Sequence, residues 1–287
     1  MRAASRPRVD GAALLLVLWL IVLRTALVGG FAMVARVERL QGQVLVRGLA
    51  AQGAARAGVE YALSRVELTD PRLQWQPNGQ PYQWNYAGAE VEVRIVDENG
   101  KVDLNQADAT VLGNLLLALG VEQVEAARLA AAIIDWRDPD QLTQAAGGAE
   151  DRDYASAGRP YGAKDAGFEG IAELQQVLGF SPEVYALVEP NVTVYSGLPR
   201  PDPAFAPAPV LYAIGLDGEE VVAARGRFDP AGGPPSASGS GTYSIDSLAR
   251  LAGGRQSLLR VVVRAGGNGI PGMAYTALRW EEGASPR

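Results

Sequence analysis

Apolar residues fill an uninterrupted segment near the N-terminus. From Ala12 to Ala35 the only charged residue is Arg24, and a helix of this length can cross a bilayer of ~30 Å hydrocarbon thickness. Three arginines and one aspartate precede the segment. Because arginine and lysine accumulate on the cytoplasmic side of a span, the pattern predicts a cytoplasmic N-terminus and a C-terminal part on the far side of the membrane.

Helical spacing of apolar residues continues beyond the span. It extends from Val37 to about Val66, and Thr69-Asp70-Pro71 ends it. This favours one helix over residues 12–66, with 12–35 transmembrane. Two helices broken around Gly42 to Gly53 are an alternative of equal geometric merit.

After this helix, apolar and polar residues alternate, which is the period-two pattern of a β-strand. Alternation between Tyr82 and Asp97 predicts a hairpin that turns at Ala87-Gly88. Further strands are predicted at 210–216, 221–228, 258–263 and 274–280, and a flexible loop at 232–241. A helical block lies between them, with helices at 107–119, 121–136, 171–178 and 182–188. The fold class is therefore α+β, with helices interrupting a β-rich part.

Composition excludes much chemistry. The 287 residues include no cysteine and no histidine, so disulfides, thiolate chemistry, imidazole bases and the usual zinc sites are absent. A net charge of −6 opposes a nucleic-acid surface. The helix–glycine–helix pairs of the helical block resemble helix-hairpin-helix DNA readers, but the block is acidic, so we expect protein contacts and no nucleic acid.

Carboxylates accumulate between Asp135 and Asp153. The candidate ligands are Asp138, Asp140, Glu150, Asp151 and Asp153, with Asp135 nearby. Like charges at this density repel unless water or a hard cation lies between them, and calcium accepts oxygens from such loops. The hypothesis is a calcium site, although not of the EF-hand spacing, and a solvated acidic loop is the alternative. Hydrolysis by paired carboxylates requires burial that this polar loop does not indicate, so we expect no enzyme.

The leader adds a family signal. Gly11 stands immediately before the apolar segment, an arrangement that resembles type IV pilin and type II secretion pseudopilin precursors. The resemblance implies cleavage between Gly11 and Ala12 by a prepilin peptidase, methylation, and retention of the helix. Major subunits carry a glutamate at the fifth mature residue. Here that residue is Leu16, which is typical of the large minor pseudopilin of the K type.

A series of motifs supports the same family. They are Val-Asp-Glu-Asn-Gly-Lys-Val-Asp-Leu-Asn (96–105), Ile-Ile-Asp-Trp (133–136), Gly-Ala-Glu-Asp (148–151), Tyr154 and Ile-Ala-Glu-Leu (171–174). Their order is similar to the helical domain of the K pseudopilin. The resemblance implies a pilin-like antiparallel β-sheet domain over 67–102 and 196–287, an inserted all-α domain of the SAM-like or helix-hairpin-helix-like kind over 103–195, and calcium in the helical domain.

The same resemblance implies a function and a location. The chain is expected to be a minor pseudopilin of a type II secretion system, at the pseudopilus tip with the I and J types, helping to initiate assembly and export of folded proteins. Its other partners would be the prepilin peptidase, the major pseudopilin and the bacterial inner membrane, with the C-terminal domains periplasmic. Arg24 is expected to find a neighbour's carboxylate in the membrane or fibre core.

Two alternatives remain open. A minor pilin of a type IV pilus or of a competence system shares the leader pattern. A secreted calcium-binding protein with a cleaved signal peptide also fits a basic start followed by a short apolar segment.

Overall fold

A single helix forms the N-terminal part of the chain. The computed structural model describes residues 10–70, 72–226, 239–266 and 274–283. Helix α1 extends from Asp10 to Val66 without a break, so the alternative of two helices does not occur. Most of the leader, residues 1–9, lies outside the described part of the chain.

Helix α1 divides into an exposed half and a packed half. Every side chain from Ala13 to Arg47 is exposed, whereas burial begins at Ala51. The buried hydrophobic side chains of the second half are Ala51, Ala54, Ala55, Val59, Ala62, Leu63 and Val66. Their spacing places them on one face, and most are alanines, so the helix can approach the sheet closely.

That face packs on a five-stranded antiparallel sheet. The strands are β1 (Asn78–Tyr86), β2 (Ala89–Asp97), β3 (Thr242–Leu251), β4 (Gln256–Ala265) and β5 (Tyr275–Glu282), and they lie side by side in this order. Ala87 and Gly88 both have positive φ at the β1–β2 turn, the geometry of a tight two-residue hairpin. The predicted hairpin and the predicted strands at 258–263 and 274–280 are confirmed.

Helices fill the long connection between β2 and β3. They are α2 (Ala109–Ala118), α3 (Gln123–Arg137), α4 (Asp151–Ser156), α5 (Pro182–Val188), α6 (Ala208–Ala213) and α7 (Gly218–Gly226). Local signals start several of them: Asp108 Oδ1 accepts a hydrogen bond from the Val111 amide at 2.8 Å, and Ser181 Oγ accepts one from the Val184 amide at 3.2 Å. The predicted helix at 171–178 is a 3₁₀-helix over Ile171–Gln175.

Two predicted strands are wrong. Residues 210–216 and 221–228 were expected to be extended, but they form most of α6 and α7, while residues 227–228 lie outside the described part. A short apolar segment does not separate a buried strand from a buried helix. Packing against α2 buries Val210 and Leu211, and Asp217 Oδ1 accepts the amide of Glu220 at 3.0 Å to start α7. The helical conformation is therefore favoured.

The sequence pattern did not predict strand β3. The predicted loop at 232–241 lies mostly outside the described residues.

The helical core continues beyond its expected boundary. Ala206, Val210, Leu211 and Ala213 belong to the same buried cluster as Leu112 and Leu129. The helical domain thus extends past residue 195 and reaches α7 before the chain returns to the sheet. The α+β arrangement predicted from the sequence is confirmed.

The two ends of the helical domain lie side by side. Val102–Asp103 pairs in parallel with Val192–Thr193. Asp103 Oδ2 accepts hydrogen bonds from Ser196 Oγ at 3.0 Å and from the Gly197 amide at 2.7 Å. These contacts tie the returning chain to the departing one, and so they fix the helical domain to the sheet.

Candidate functional site

Three carboxylates meet where α3 ends and α4 begins. Asp138 follows the last residue of α3, Asp140 lies two residues further on, and Glu150 immediately precedes α4. One oxygen from each of the three lies within 4.8 Å of the others. These are three of the five ligands that the sequence predicted.

The cluster contains buried oxygens without partners. Glu150 is only 4% exposed, and neither of its carboxylate oxygens accepts a hydrogen bond within the described part of the chain. Asp138 Oδ1 is buried and unpaired in the same way. A buried carboxylate without a partner is costly. The donor set therefore fits a hard cation with oxygen ligands.

The pKa values of the clustered carboxyl groups agree with their burial and their closeness to one another. Burial, together with the charges of Asp135 and Asp138, raises the pKa of Glu150 to about 7. Burial also raises the pKa of Asp138, with Asp140 adding to the effect, and burial raises the pKa of Asp135. In the absence of a cation, the site accordingly holds protons more tightly than isolated carboxyl groups do.

The other two predicted ligands have different contacts. Asp153 Oδ2 accepts a hydrogen bond from the Glu150 amide at 3.0 Å, a contact that starts α4. Asp151 Oδ1 accepts one from the Ala163 amide at 3.1 Å and is exposed. The structure does not bring these two side chains into the cluster of three.

Asp135 supports the loop between the helices. Its carboxylate is fully buried and accepts the Gln144 amide at 3.3 Å. A Cβ at Gly148 would lie 1.9 Å from Asp135 Oδ2, so only glycine allows the loop to pass this carboxylate. The glycine at position 148 thus has a steric cause.

Sequence reasoning missed one acidic neighbour. The charge of Asp165 contributes to the raised pKa of both Glu150 and Asp138. Asp165 is exposed and has a positive φ of 53°. Only the folded chain brings it near the cluster, because fifteen residues separate it from Glu150 and no motif spacing relates them.

The predicted assembly residues lie on the exposed half of α1. Leu16 is 71% exposed, and Arg24 forms no ion pair with any residue in the described ranges. Gly11 and Ala12 lie within the helix. The helix is long and apolar enough to cross a membrane, with a best 18-residue window of mean hydropathy 2.3 and none of that window buried.

Comparisons with known proteins agree with the motifs. Residues 92–197 match the family model described as type II secretion system (T2SS), protein K, and this range contains all the motifs of the helical domain. The fold is similar to a crystal structure of the GspK-GspI-GspJ complex from the type II secretion system of enterotoxigenic Escherichia coli, with a TM-score of 0.55 and 15% sequence identity, covering 88% of this chain and 99% of that one. No curated protein matches the sequence. Residues 92–197 are thus similar to protein K of the type II secretion system, and the chain shares the fold of a solved complex of that system.

Proposed function

We propose that this protein is a minor pseudopilin of a type II secretion system, that it acts at the tip of the pseudopilus with pseudopilins of the I and J types, and that it helps to initiate assembly. The observation that carries the proposal is the division of α1. Its first half is apolar and buries nothing in the described chain, whereas its second half is packed into a complete domain. Such a helix requires lipid or other helices around it.

Two features favour the tip over the shaft. The fifth residue after the expected cleavage is Leu16 and not an acid, so this chain lacks the carboxylate that major subunits carry there. The helical domain, from Val102 to α7, also adds bulk beside the sheet. A subunit at the tip needs no further subunit docked above it. The role is structural, and the proposal includes no catalysis.

The proposal includes processing and location. The prepilin peptidase would cleave between Gly11 and Ala12, leaving α1 anchored in the inner membrane with the folded domains in the periplasm. The test is intact-mass spectrometry of the full chain purified from membranes of a host with the peptidase. A mass beginning at Ala12 is expected, and a Gly11→Asp variant should keep its leader. A mature chain that begins beyond Gly30 would instead support a secreted protein with a cleaved signal peptide.

A co-purification experiment tests whether the chain binds pseudopilins of the I and J types. The full chain, co-expressed with I-type and J-type pseudopilins and extracted in detergent, should co-purify with both. The major pseudopilin alone serves as the comparison. Equal recovery with the major pseudopilin, and none with the I and J types, would contradict a tip complex and would favour a pilin of another system.

Calcium is the cation that the proposal assigns to the acidic cluster. Asp138, Asp140 and Glu150 would hold it, and the orphaned buried oxygens of Asp138 and Glu150 support this assignment. When bound, calcium would neutralise the mutual repulsion of these carboxylates and fix the start of α4 to the end of α3. The ion thus has a structural role in the helical domain.

A further inference from the structure

Arg24 lies at the middle of the apolar segment. Along the axis of α1 it is about 18 Å from Ala12 and about 17 Å from Ala35, at 1.5 Å per residue. In a bilayer with ~30 Å of hydrocarbon these distances place it near the midplane. Neither polar boundary is close, so the guanidinium cannot readily reach water or lipid headgroups by extending along the helix.

Among the described residues, no anion pairs with Arg24. None of the ion pairs in the described ranges includes it. The adjacent hydroxyl, Thr25 Oγ1, donates to its own helix at the Ile21 carbonyl, 2.8 Å away. The first side chain of α1 that the globular part buries is Ala51, about 40 Å further along the helix. The periplasmic domains are therefore too far away to supply a counter-charge.

We infer that Arg24 is a pairing residue that binds a carboxylate on the transmembrane helix of a second protein. A buried guanidinium without a partner is costly, and charged residues within membrane helices almost always face the interior of a helix bundle or a water-filled cavity, where they pair with one another or with backbone carbonyls. The partner is consequently a helix that carries Asp or Glu inside its own apolar segment, at the depth of Arg24. This inference rests on the retention of α1 in the membrane, which belongs to the proposed function.

The helix surface around Arg24 suits a close neighbour. Leu20 and Val28 lie four residues on either side of Arg24 and share its face, and both are exposed. Val22 lies two residues away and points to another side of the helix. The contact therefore consists of one charge between two apolar side chains, a pattern that a complementary helix with a central carboxylate would match.

The test is photo-crosslinking in intact membranes with the full chain. A photoreactive residue is placed at Leu20 or at Val28, in the wild-type background and in Arg24→Leu, Arg24→Lys and Arg36→Leu backgrounds. The adduct should fall about tenfold in Arg24→Leu, partly in Arg24→Lys, and not at all in Arg36→Leu, which changes an arginine just beyond the span. A photoreactive residue at Val22 gives the background level.

The crosslinked peptide identifies the partner's chemistry. Mass spectrometry should find Asp or Glu within an apolar segment of the second protein, and neutralising that residue should reduce the adduct as much as Arg24→Leu does. Adducts with lipid alone, adducts unaffected by Arg24→Leu, or no adduct would overturn the inference. Removing a charge from the span favours insertion, so the membrane level of Arg24→Leu should not fall.

Intact mass distinguishes the two failures. If the membrane-bound chain begins at Ala12 and the adduct does not depend on Arg24, only the pairing is wrong. If α1 is removed during export, the proposed function fails as well.

Discussion

Lys101 Nζ donates a hydrogen bond to Glu98 Oε1 at 2.6 Å, and both side chains are almost completely buried. The same ammonium donates to Ser244 Oγ on β3 at 2.7 Å, and Thr193 Oγ1 donates to the other oxygen of Glu98. The ion pair thus joins the end of β2, the sheet and the chain that returns from the helical domain. It is the chemistry behind the Glu-Asn-Gly-Lys part of the motif at 96–105.

Removal of the lysine should destabilise the whole chain. Lys101→Met leaves Glu98 buried without its cation, and such a change costs about 3–5 kcal/mol. Urea unfolding of the full chain in detergent, followed by tryptophan fluorescence, measures the effect. The double variant Glu98→Gln with Lys101→Met should lose less than the sum of the single changes, because no charge is left unpaired.

Lys164 provides a matched control. It is the other lysine of the chain, its side chain is 24% exposed, and it pairs with Glu173 at 2.9 Å. A partly exposed ion pair contributes about 0–1 kcal/mol, so Lys164→Met should be nearly neutral. Equal losses from the two lysine variants would contradict the special role of the buried pair.

Gly58 determines how closely α1 approaches the sheet. A Cβ there would lie 2.2 Å from Ser247 Oγ and 2.8 Å from Val91 Cγ1. Gly58→Ala should therefore destabilise the packed domain by about 1–3 kcal/mol, although alanine is the better helix former. Gly53 lies in the same helix, and apart from the neighbouring helix backbone no described atom lies within 4 Å of the position that a Cβ would take there, so Gly53→Ala should stabilise by up to ~1 kcal/mol. Thermal melting of both variants checks the contrast.

Strong periodicity made the first third of the fold predictable. Helix α1 and the β1–β2 hairpin follow from long patterns of period 3.6 and period 2, and tertiary contacts had little to decide there. Residues 210–216 are different. Their short apolar pattern suits a strand or a helix equally, and only packing against the surface of α2 selects the helix for residues 210–213.

The candidate site was predictable only in part, because some of its contacts depend on the fold and not on the local sequence. Clustering of acids along the chain indicated Asp138, Asp140 and Glu150, which the fold brings together. The density of acidic residues along the sequence could not by itself show that Asp153 accepts a hydrogen bond from the Glu150 amide at the start of α4. Nor could it show that Asp165 lies near the cluster, because that proximity depends on the loop after α4.

Calcium should raise the melting temperature of the chain. A ligand bound only by the folded form, present at 100 times its dissociation constant, stabilises by about 2.7 kcal/mol, which corresponds to about 5–10 °C for a chain of this size. Scanning calorimetry with calcium and with chelator measures the shift. Glu150→Gln should abolish the shift, whereas Glu219→Gln, an exposed acid on α7, should keep it. An unchanged midpoint in the wild type would remove calcium from the account.

Without calcium, the stability of the chain should fall as the pH rises from about 4.5 to about 7. The pKa of Glu150 is raised to about 7 in the folded chain from its usual 4.5, so within this window the unfolded chain releases a proton that the folded chain retains. The raised pKa values of Asp135 and Asp138 act in the same direction. Glu150→Gln removes this titrating group, and in chelator the variant should lose less stability than the wild type across the window. The measurement is the difference in melting temperature between the wild type and Glu150→Gln at each pH. A difference that does not change with pH would show that Glu150 ionises normally in the folded chain. In that case Glu150 would not be a buried carboxylate that requires a cation.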